Sequence, residues 1–290
     1  MSSIASETTP AVAVHVPVPV LNPGMHNQVI VLAGATAVGK SKVAQLLCRH
    51  IGNCEVVVAD SVQIYSHLDV GSNKPSAAEQ AEFPHHCVSL VQPADTYSGG
   101  EFVREAVSAI YDILNRGKVP VVVGGSTMWI QWLVQGIPDA PKADAAVALQ
   151  AESLLREATQ AQDWSAALVI LTAHAPERAS KIGANDWYRC RRYLEVALST
   201  KDLPSEEGGD ALKGERTAGL PGLDVRCFFM NEQRDDLYRT IDTRCEGMLE
   251  AGLLQEVAAL VLDRHLAPNT VAAKAIGYRQ VSSLCVICDM

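Results

Sequence analysis

The sequence predicts an α/β fold: a parallel sheet flanked by helices and interrupted by a helical insertion. Three observations predict it. Short apolar runs rich in β-branched residues alternate with segments of helical periodicity. The first run passes directly into "GATAVGKS", Gly34 to Ser41, and from there into a helix. From about Pro138 the strand signals stop and an Ala-rich helical texture replaces them.

The first element, "QVIVLA" (28–33), is a buried parallel strand ending at Gly34. "KSKVAQLLCRHIG" places Val43, Leu46, Leu47 and Ile51 at helical spacing, with Gly52 as its stop. "EVVVAD" is a second buried strand with Asp60 at its carboxyl end, and "HHCVSLV" a third. "EFVREAVSAIYDILNRG" is an amphipathic helix with Phe102, Ala106, Ile110 and Ile113 on one face and Gly117 as its stop. "VPVVVGGS" is a fourth strand. A helical stretch from 143 to 171 comes next, then a helix in "NDWYRCRRYLEVAL" capped by Asn185 or Asp186. After a loop from Pro204 to Gly222, "DVRCFFMN" returns as a strand, with two further helices after it. The expected organisation is a disordered lead-in at 1–27, an α/β core at 28–139 and 184–290, and a helical insertion at 140–183. No internal repeat is present.

Length and composition bound the function. At 290 residues, 48% hydrophobic and 20% charged, the chain has material for one large core with a smaller insertion. No run reaches eighteen apolar residues, so no membrane span is expected. A net charge of −9 weighs against nucleic-acid binding, although a local basic face can coexist with it. The eight cysteines are scattered, as reduced thiols would be. The pair Cys285 and Cys288 lacks the further ligands that zinc needs. The first 27 residues contain no Arg and no basic start before an apolar run, and so give no support to a transit peptide or a secretory signal.

Gly34, Gly39, Lys40 and Ser41 satisfy G-x-x-x-x-G-K-[ST] between a strand and a helix, the P-loop pattern. The whole stretch Gly34, Ala35, Thr36, Ala37, Val38, Gly39, Lys40 and Ser41 can turn its backbone amides and the helix N-terminus toward one anion. Lys40 adds a cation, and the Ser41 hydroxyl can join the shell of a Mg²⁺. Asp60 could hold that metal, act as a base on a substrate, or cap a turn. His85 and His86 are adjacent on an extended chain and point opposite ways, which favours structural or substrate-shaping roles over a metal. Ser126 could donate to a phosphate or satisfy a turn. Arg189, Arg191 and Arg192 form the dense basic cluster, with 189 and 192 on one helix face, either solvated or anion-binding.

The blocks "GATAVGKS", "ADSVQIYSHLDVGSNKP", "FPHHCVSLVQPADTYSGGEF", "VPVVVGGSTMWI", "NDWYRCRRYLEV", "RDDLYRTIDTRCEGMLEAGLLQEV" and "AIGYRQ" occur in an order that resembles the tRNA dimethylallyltransferases, over about 28 to 281. The resemblance implies transfer of a dimethylallyl group from dimethylallyl diphosphate to N6 of adenosine 37 beside the tRNA anticodon, with diphosphate released and Mg²⁺ as cofactor. It implies that the loop holds diphosphate, that Asp60 is the base, and that Lys40, Ser126 and Arg244 act on the departing group. It also implies that Ser61, Val62 and Gln63, with Asp60, meet the target nucleotide. Tyr188, Arg189, Cys190, Arg191 and Arg192 match a second tRNA-contacting stretch, where Gln commonly stands in place of Tyr188. Relatives usually continue with more helix after "AIGYRQ", and some add a zinc finger, so "CVICDM" is a candidate truncation point. The expected partners are a tRNA anticodon stem-loop and dimethylallyl diphosphate, the expected state a monomer, and the expected location cytoplasmic, with mitochondrial or plastid targeting open. Three rivals share the loop or the fold: an adenylate isopentenyltransferase acting on free AMP, ADP or ATP, a small-molecule kinase, and an RNA-binding protein without activity.

Overall fold

The computed structural model describes residues 20–24, 26–137, 145–199, 219–263, 266–267 and 270–287. Five parallel strands form one sheet: β1 (Gln28–Gly34), β2 (Cys54–Val58), β3 (His85–His86), β4 (Val119–Gly124) and β5 (Asp224–Met230), in the order β3-β2-β4-β1-β5. The helices are α1 (Lys40–Ile51), α2 (Ala77–Glu82), α3 (Gly99–Asn115), α4 (Thr127–Gln135), α5 (Ala145–Ala161), α6 (Trp164–His174), α7 (Pro176–Ala179), α8 (Trp187–Ser199), α9 (Arg234–Glu250), α10 (Leu253–Leu262) and α11 (Tyr278–Ile287). None of the described helices is long and apolar enough to cross a membrane.

The central strands are mostly apolar because both sheet faces are covered, the buried Glu55 of β2 being an exception. Val29, Val31, Val57 and Val122 point to the face closed by α3, α4 and α10. Leu32, Val56, Val58, Val121 and Val123 point to the other, closed by Ala44 and Cys48 of α1. On α3, Phe102, Ala106, Ile110 and Ile113 are fully buried, as their spacing predicts. Each large apolar side chain buried this way contributes about 1.5–3 kcal/mol. The Phe102 ring stacks on Trp129 of α4, centroids 4.8 Å apart.

Several expectations need correction. The buried face of α1 is Ala44 and Cys48, flanked by Val43 and Leu47, while Leu46 and Ile51 are exposed. The predicted strand "HHCVSLV" shrinks to His85–His86, because Cys87 (φ 61°) and Ser89 (φ 52°) turn left-handed and break the ladder. Helix α3 begins two residues earlier than its sequence pattern predicts. Ser98 and Glu101 form a capping box, and Ser76 and Glu79 form another that starts α2, a helix absent from the expected elements. Helix α4 is likewise an addition to them. The Gly52 stop holds, with φ 81° and its N–H on the Cys48 carbonyl.

The described residues fall into two compact units, divided at Ile137/Pro138 and at Thr217/Ala218. The second unit has its own core, in which Ala151 and Leu155 of α5 and Ala167 and Leu171 of α6 pack with Cys190, Leu194 and Leu198 of α8. Helix α8 therefore belongs with the helical unit, not with an α/β core resuming at 184. Its buried side is closed by α5 and α6, so it cannot also be a core helix. The Asp186 carboxylate caps it by accepting the Arg189 N–H at 3.0 Å. Of the expected lead-in, residues 1–19 and 25 lie outside the described residues, and Leu21 packs on the main core. Most of the expected 204–222 loop, and Cys288, also lie outside them, while Cys285 falls within α11.

Candidate active site

The P-loop joins β1 to α1 at the carboxyl edge of the sheet. Gly39 stands at the helix N-cap with φ 89°, a left-handed conformation that L side chains adopt only with strain. Ala37 is also left-handed, at φ 66°. Thr36, Ala37, Gly39, Lys40 and Ser41 line a cavity of about 260 Å³. Of the predicted loop residues, Gly34, Ala35 and Val38 do not line it. The Lys40 ammonium donates to the Ala35 carbonyl at 2.6 Å, folded over its own loop. Burial lowers its pKa from 10.5; Asp60 pulls the other way and Arg244 adds to the lowering.

Asp60 lies just beyond β2 and lines the same cavity. Its Oδ1 accepts the Val62 N–H at 2.9 Å and the Gln63 N–H at 3.3 Å, while Oδ2 has no hydrogen-bond partner among the described residues. One oxygen caps the turn, and the other remains available to a ligand. Arg244, on α9, also lines the cavity, and its buried Nε has no partner among the described residues. A buried guanidinium donor left unmatched is a group that an anionic ligand can satisfy.

Ser126 does not line the cavity; its Oγ accepts the Ser61 N–H at 3.0 Å and braces the turn that carries Asp60. Of Ser61, Val62 and Gln63, only Gln63 lines the cavity. His85 lines it too, its Nδ1 2.7 Å from the Phe83 carbonyl, and burial lowers its pKa from 6.5. His86 turns away to the buried Glu55, with Nε2 at 2.7 Å from the carboxylate. The pair diverges as adjacent extended residues must, and no group of three or more His, Cys, Asp or Glu placed to hold a metal occurs among the described residues.

Sequence reasoning missed Lys42, Asn73, Lys74, Glu79 and Thr240 on the cavity wall. With them the wall carries Lys40, Lys42, Lys74 and Arg244 against Asp60 and Glu79, a basic pocket in an acidic chain. The "GSNKP" stretch enters the sequence reading only through the family resemblance. Its Lys74 side chain is only 5% exposed, and its ammonium donates to the Tyr65 carbonyl and to Asp69 Oδ1, both at 2.6 Å.

Within the helical unit, Tyr188 is 73% exposed and Arg189, Arg191 and Arg192 reach the surface, paired with Asp186 or Glu195. Cys190 is fully buried against α6, with Sγ 3.9 Å from the Ala167 carbonyl. Its expected contact with tRNA is therefore not available, because the helix turns that position inward.

A parallel sheet, a P-loop after its first strand, and a carboxylate and an arginine on one cavity together define a P-loop-type α/β protein. The IPP transferase family model matches residues 63–286 and an isopentenyl transferase model matches 27–84. The chain belongs to the IPP transferase family. It is 38% identical to tRNA dimethylallyltransferase 9 of Arabidopsis thaliana, covering 90% of this chain and 62% of that protein. It is 39% identical to the tRNA dimethylallyltransferase of Halorhodospira halophila, covering 87% of this chain and 79% of that one. Among solved structures, it is similar to a eukaryotic dimethylallyltransferase described as acting on tRNA, with a TM-score of 0.70, 26% identity, and coverage of 91% of this chain and 64% of that one. A tRNA isopentenylpyrophosphate transferase from Staphylococcus epidermidis gives a TM-score of 0.57 at 28% identity, covering 90% and 81%.

Proposed function

We propose that the chain transfers a dimethylallyl group from dimethylallyl diphosphate to N6 of adenosine 37 in tRNA and releases diphosphate. The observation that carries the reading is the meeting of the P-loop, Asp60 and Arg244 on one cavity. The relatives' names supply the tRNA.

The chemistry comes from the residues. The allylic C–O bond breaks with its electron pair leaving on diphosphate, and that charge is what the loop amides, Lys40 and Arg244 stabilise. The adenine N6 forms the new C–N bond and gives up a proton, for which the unpartnered Oδ2 of Asp60 is the acceptor. Ser126 holds Ser61, keeping Asp60 at the edge of the sheet rather than touching the diphosphate. A base beside the anticodon must swing out of its stack to enter such a pocket. The exposed Tyr188, Arg189 and Arg191, with the half-buried Arg192, then serve as contacts for the RNA backbone.

The residues fit Mg²⁺. The Ser41 hydroxyl is a hard oxygen donor on the cavity, and Mg²⁺ takes most of its remaining ligands from water and phosphate. When bound it would neutralise charge on the diphosphate. The proposed state is a monomer. The location is that of the tRNA: the cytoplasm first, a mitochondrion or plastid next.

The test is a comparison of substrates. Dimethylallyl diphosphate with tRNA should release diphosphate, and ATP offered in its place should not turn over. ATP consumption at this loop would move the chain to the kinases.

A further inference from the structure

Away from the P-loop, one carboxylate collects four donors. Glu256, on α10, accepts the backbone N–H groups of Asp69 at 2.9 Å and Val70 at 2.7 Å on Oε2. Its Oε1 accepts the N–H of Gly71 at 3.1 Å and the hydroxyl of Tyr278, on α11, at 2.6 Å. Hydrogen bonds to a carboxylate are about twice as strong as neutral ones. Burial, reinforced by Glu256, pushes the Tyr278 phenol up, so it stays a donor.

Packing makes the same junction tight. Tyr278 is fully buried, and a Cβ added at Gly71 would lie 2.6 Å from its ring carbon Cζ and 2.8 Å from Leu253 Cδ1. The segment 69–71 is thus gripped by its amides and pressed on a ring.

Immediately beyond residue 71 the chain becomes cavity wall. The Gln63 side-chain amide donates to the carbonyls of Ser72 at 3.0 Å and Asn73 at 3.1 Å. Gln63 in turn donates its backbone N–H to Asp60 Oδ1. Gln63, Asn73 and Lys74 all line the cavity. A continuous series of hydrogen bonds and short backbone links therefore runs from Glu256 to the Asp60 carboxylate.

We propose that Glu256, braced by Tyr278, is a positioning residue that fixes segment 69–71 and so sets the wall formed by Gln63, Asn73 and Lys74 on which the acceptor adenosine is oriented toward Asp60. The assignment rests on the transfer reading, although the clamp itself does not. Glu256 touches neither substrate; it acts through the backbone of another segment.

Glu256→Gln is the direct test. The amide would turn an NH₂ donor on backbone donors and lose the charge. Hydrogen exchange should speed up across 62–74 in this variant, while peptides of α3 keep their protection. Single-turnover transfer should fall by about tenfold to 10²-fold, as for misplaced reacting groups. The KM for dimethylallyl diphosphate should stay unmoved, because the P-loop lies on other elements. Tyr278→Phe, which deletes one donor and keeps the ring, should show the same pattern more weakly. Unchanged exchange across 62–74 in Glu256→Gln would overturn the clamp. Faster exchange with an unchanged transfer rate would overturn the positioning role. A wild-type chain that protects 69–71 but transfers nothing would sink the transfer reading instead, and the exchange arm would still decide the clamp.

Discussion

The Ser126 hydroxyl accepts the Ser61 N–H at 3.0 Å, tying the second residue after β4 to the turn that begins at Asp60. The Ser126 N–H returns to the Ala59 carbonyl at 3.3 Å, so two neighbouring strand ends are stitched beside Asp60, the proposed base. Ser126→Ala leaves the Ser61 N–H unmatched, at a cost of about 1–3 kcal/mol. We expect slower transfer and a lower urea midpoint, both restored by Ser126→Thr. An alanine variant with full activity would show that the hydroxyl does not brace the base.

One substitution separates the observed turn-capping role of Asp60 from its proposed role as base. In Asp60→Asn the side-chain oxygen still accepts the Val62 and Gln63 amides, so the turn and the melting temperature should hold. The carboxylate base is gone, and transfer should fall by about 10² to 10⁴. Thermal melting beside single-turnover kinetics reads both. A variant that melts early while its folded fraction transfers normally would assign Asp60 to the turn alone.

Lys40 gives a pH signature. Its pKa is lowered below 10.5, chiefly by burial, so between the lowered value and 10.5 the unfolded chain holds a proton that the folded chain has lost. Stability of the ligand-free protein should therefore rise with pH across that window. The proposed diphosphate binding should run the other way, because it draws on the ammonium. The ratio of wild-type to Lys40→Met affinity for inorganic diphosphate should decline as pH climbs toward 10.5, measured by calorimetry. A ratio independent of pH would mean that Lys40 does not meet the anion.

Glu55 is buried at the amino end of β2, where its carboxylate takes Arg116, Lys118 at 2.7 Å and His86 at 2.7 Å. Arg116 first, then Lys118 and His86, hold its pKa far below the usual carboxylate range against the effect of burial. The stability this gives is present above the unfolded carboxylate value of 4.5 and is lost as pH falls toward the depressed one. Arg116 and Lys118 are each about a third solvated or more, so the loss in Glu55→Gln at neutral pH should be only about 1–3 kcal/mol. Urea titrations at neutral and acid pH should show the two proteins converging in acid. Parallel curves would remove the network from the stability of the fold.

Much of this is legible in the sequence, for identifiable reasons. The P-loop and the buried strands β1, β2 and β4 are local patterns, since apolar runs and G-x-x-x-x-G-K-S need no distant partner to be recognised. Asp60 is visible as a candidate base, metal ligand or turn cap at a strand end, but which of its oxygens is free is a fact of hydrogen bonding that the sequence does not show. The grip of Glu256 on 69–71 joins residues 185 to 187 apart, and no period in the chain encodes it. Lys74 is hidden for the same reason. The two capping boxes are different: Ser76–Glu79 and Ser98–Glu101 carry a local signature that a reading of apolar periods passes over. Cys190 groups with its arginine neighbours by proximity in sequence, whereas the helix turns it into the core of its unit.

The most direct measurement offers labelled dimethylallyl diphosphate and Mg²⁺ to the protein with an A37-containing tRNA and AMP in the same tube. Label in the tRNA and none in AMP is the result expected of a tRNA dimethylallyltransferase. Label in AMP alone would contradict that function and make the acceptor a free nucleotide.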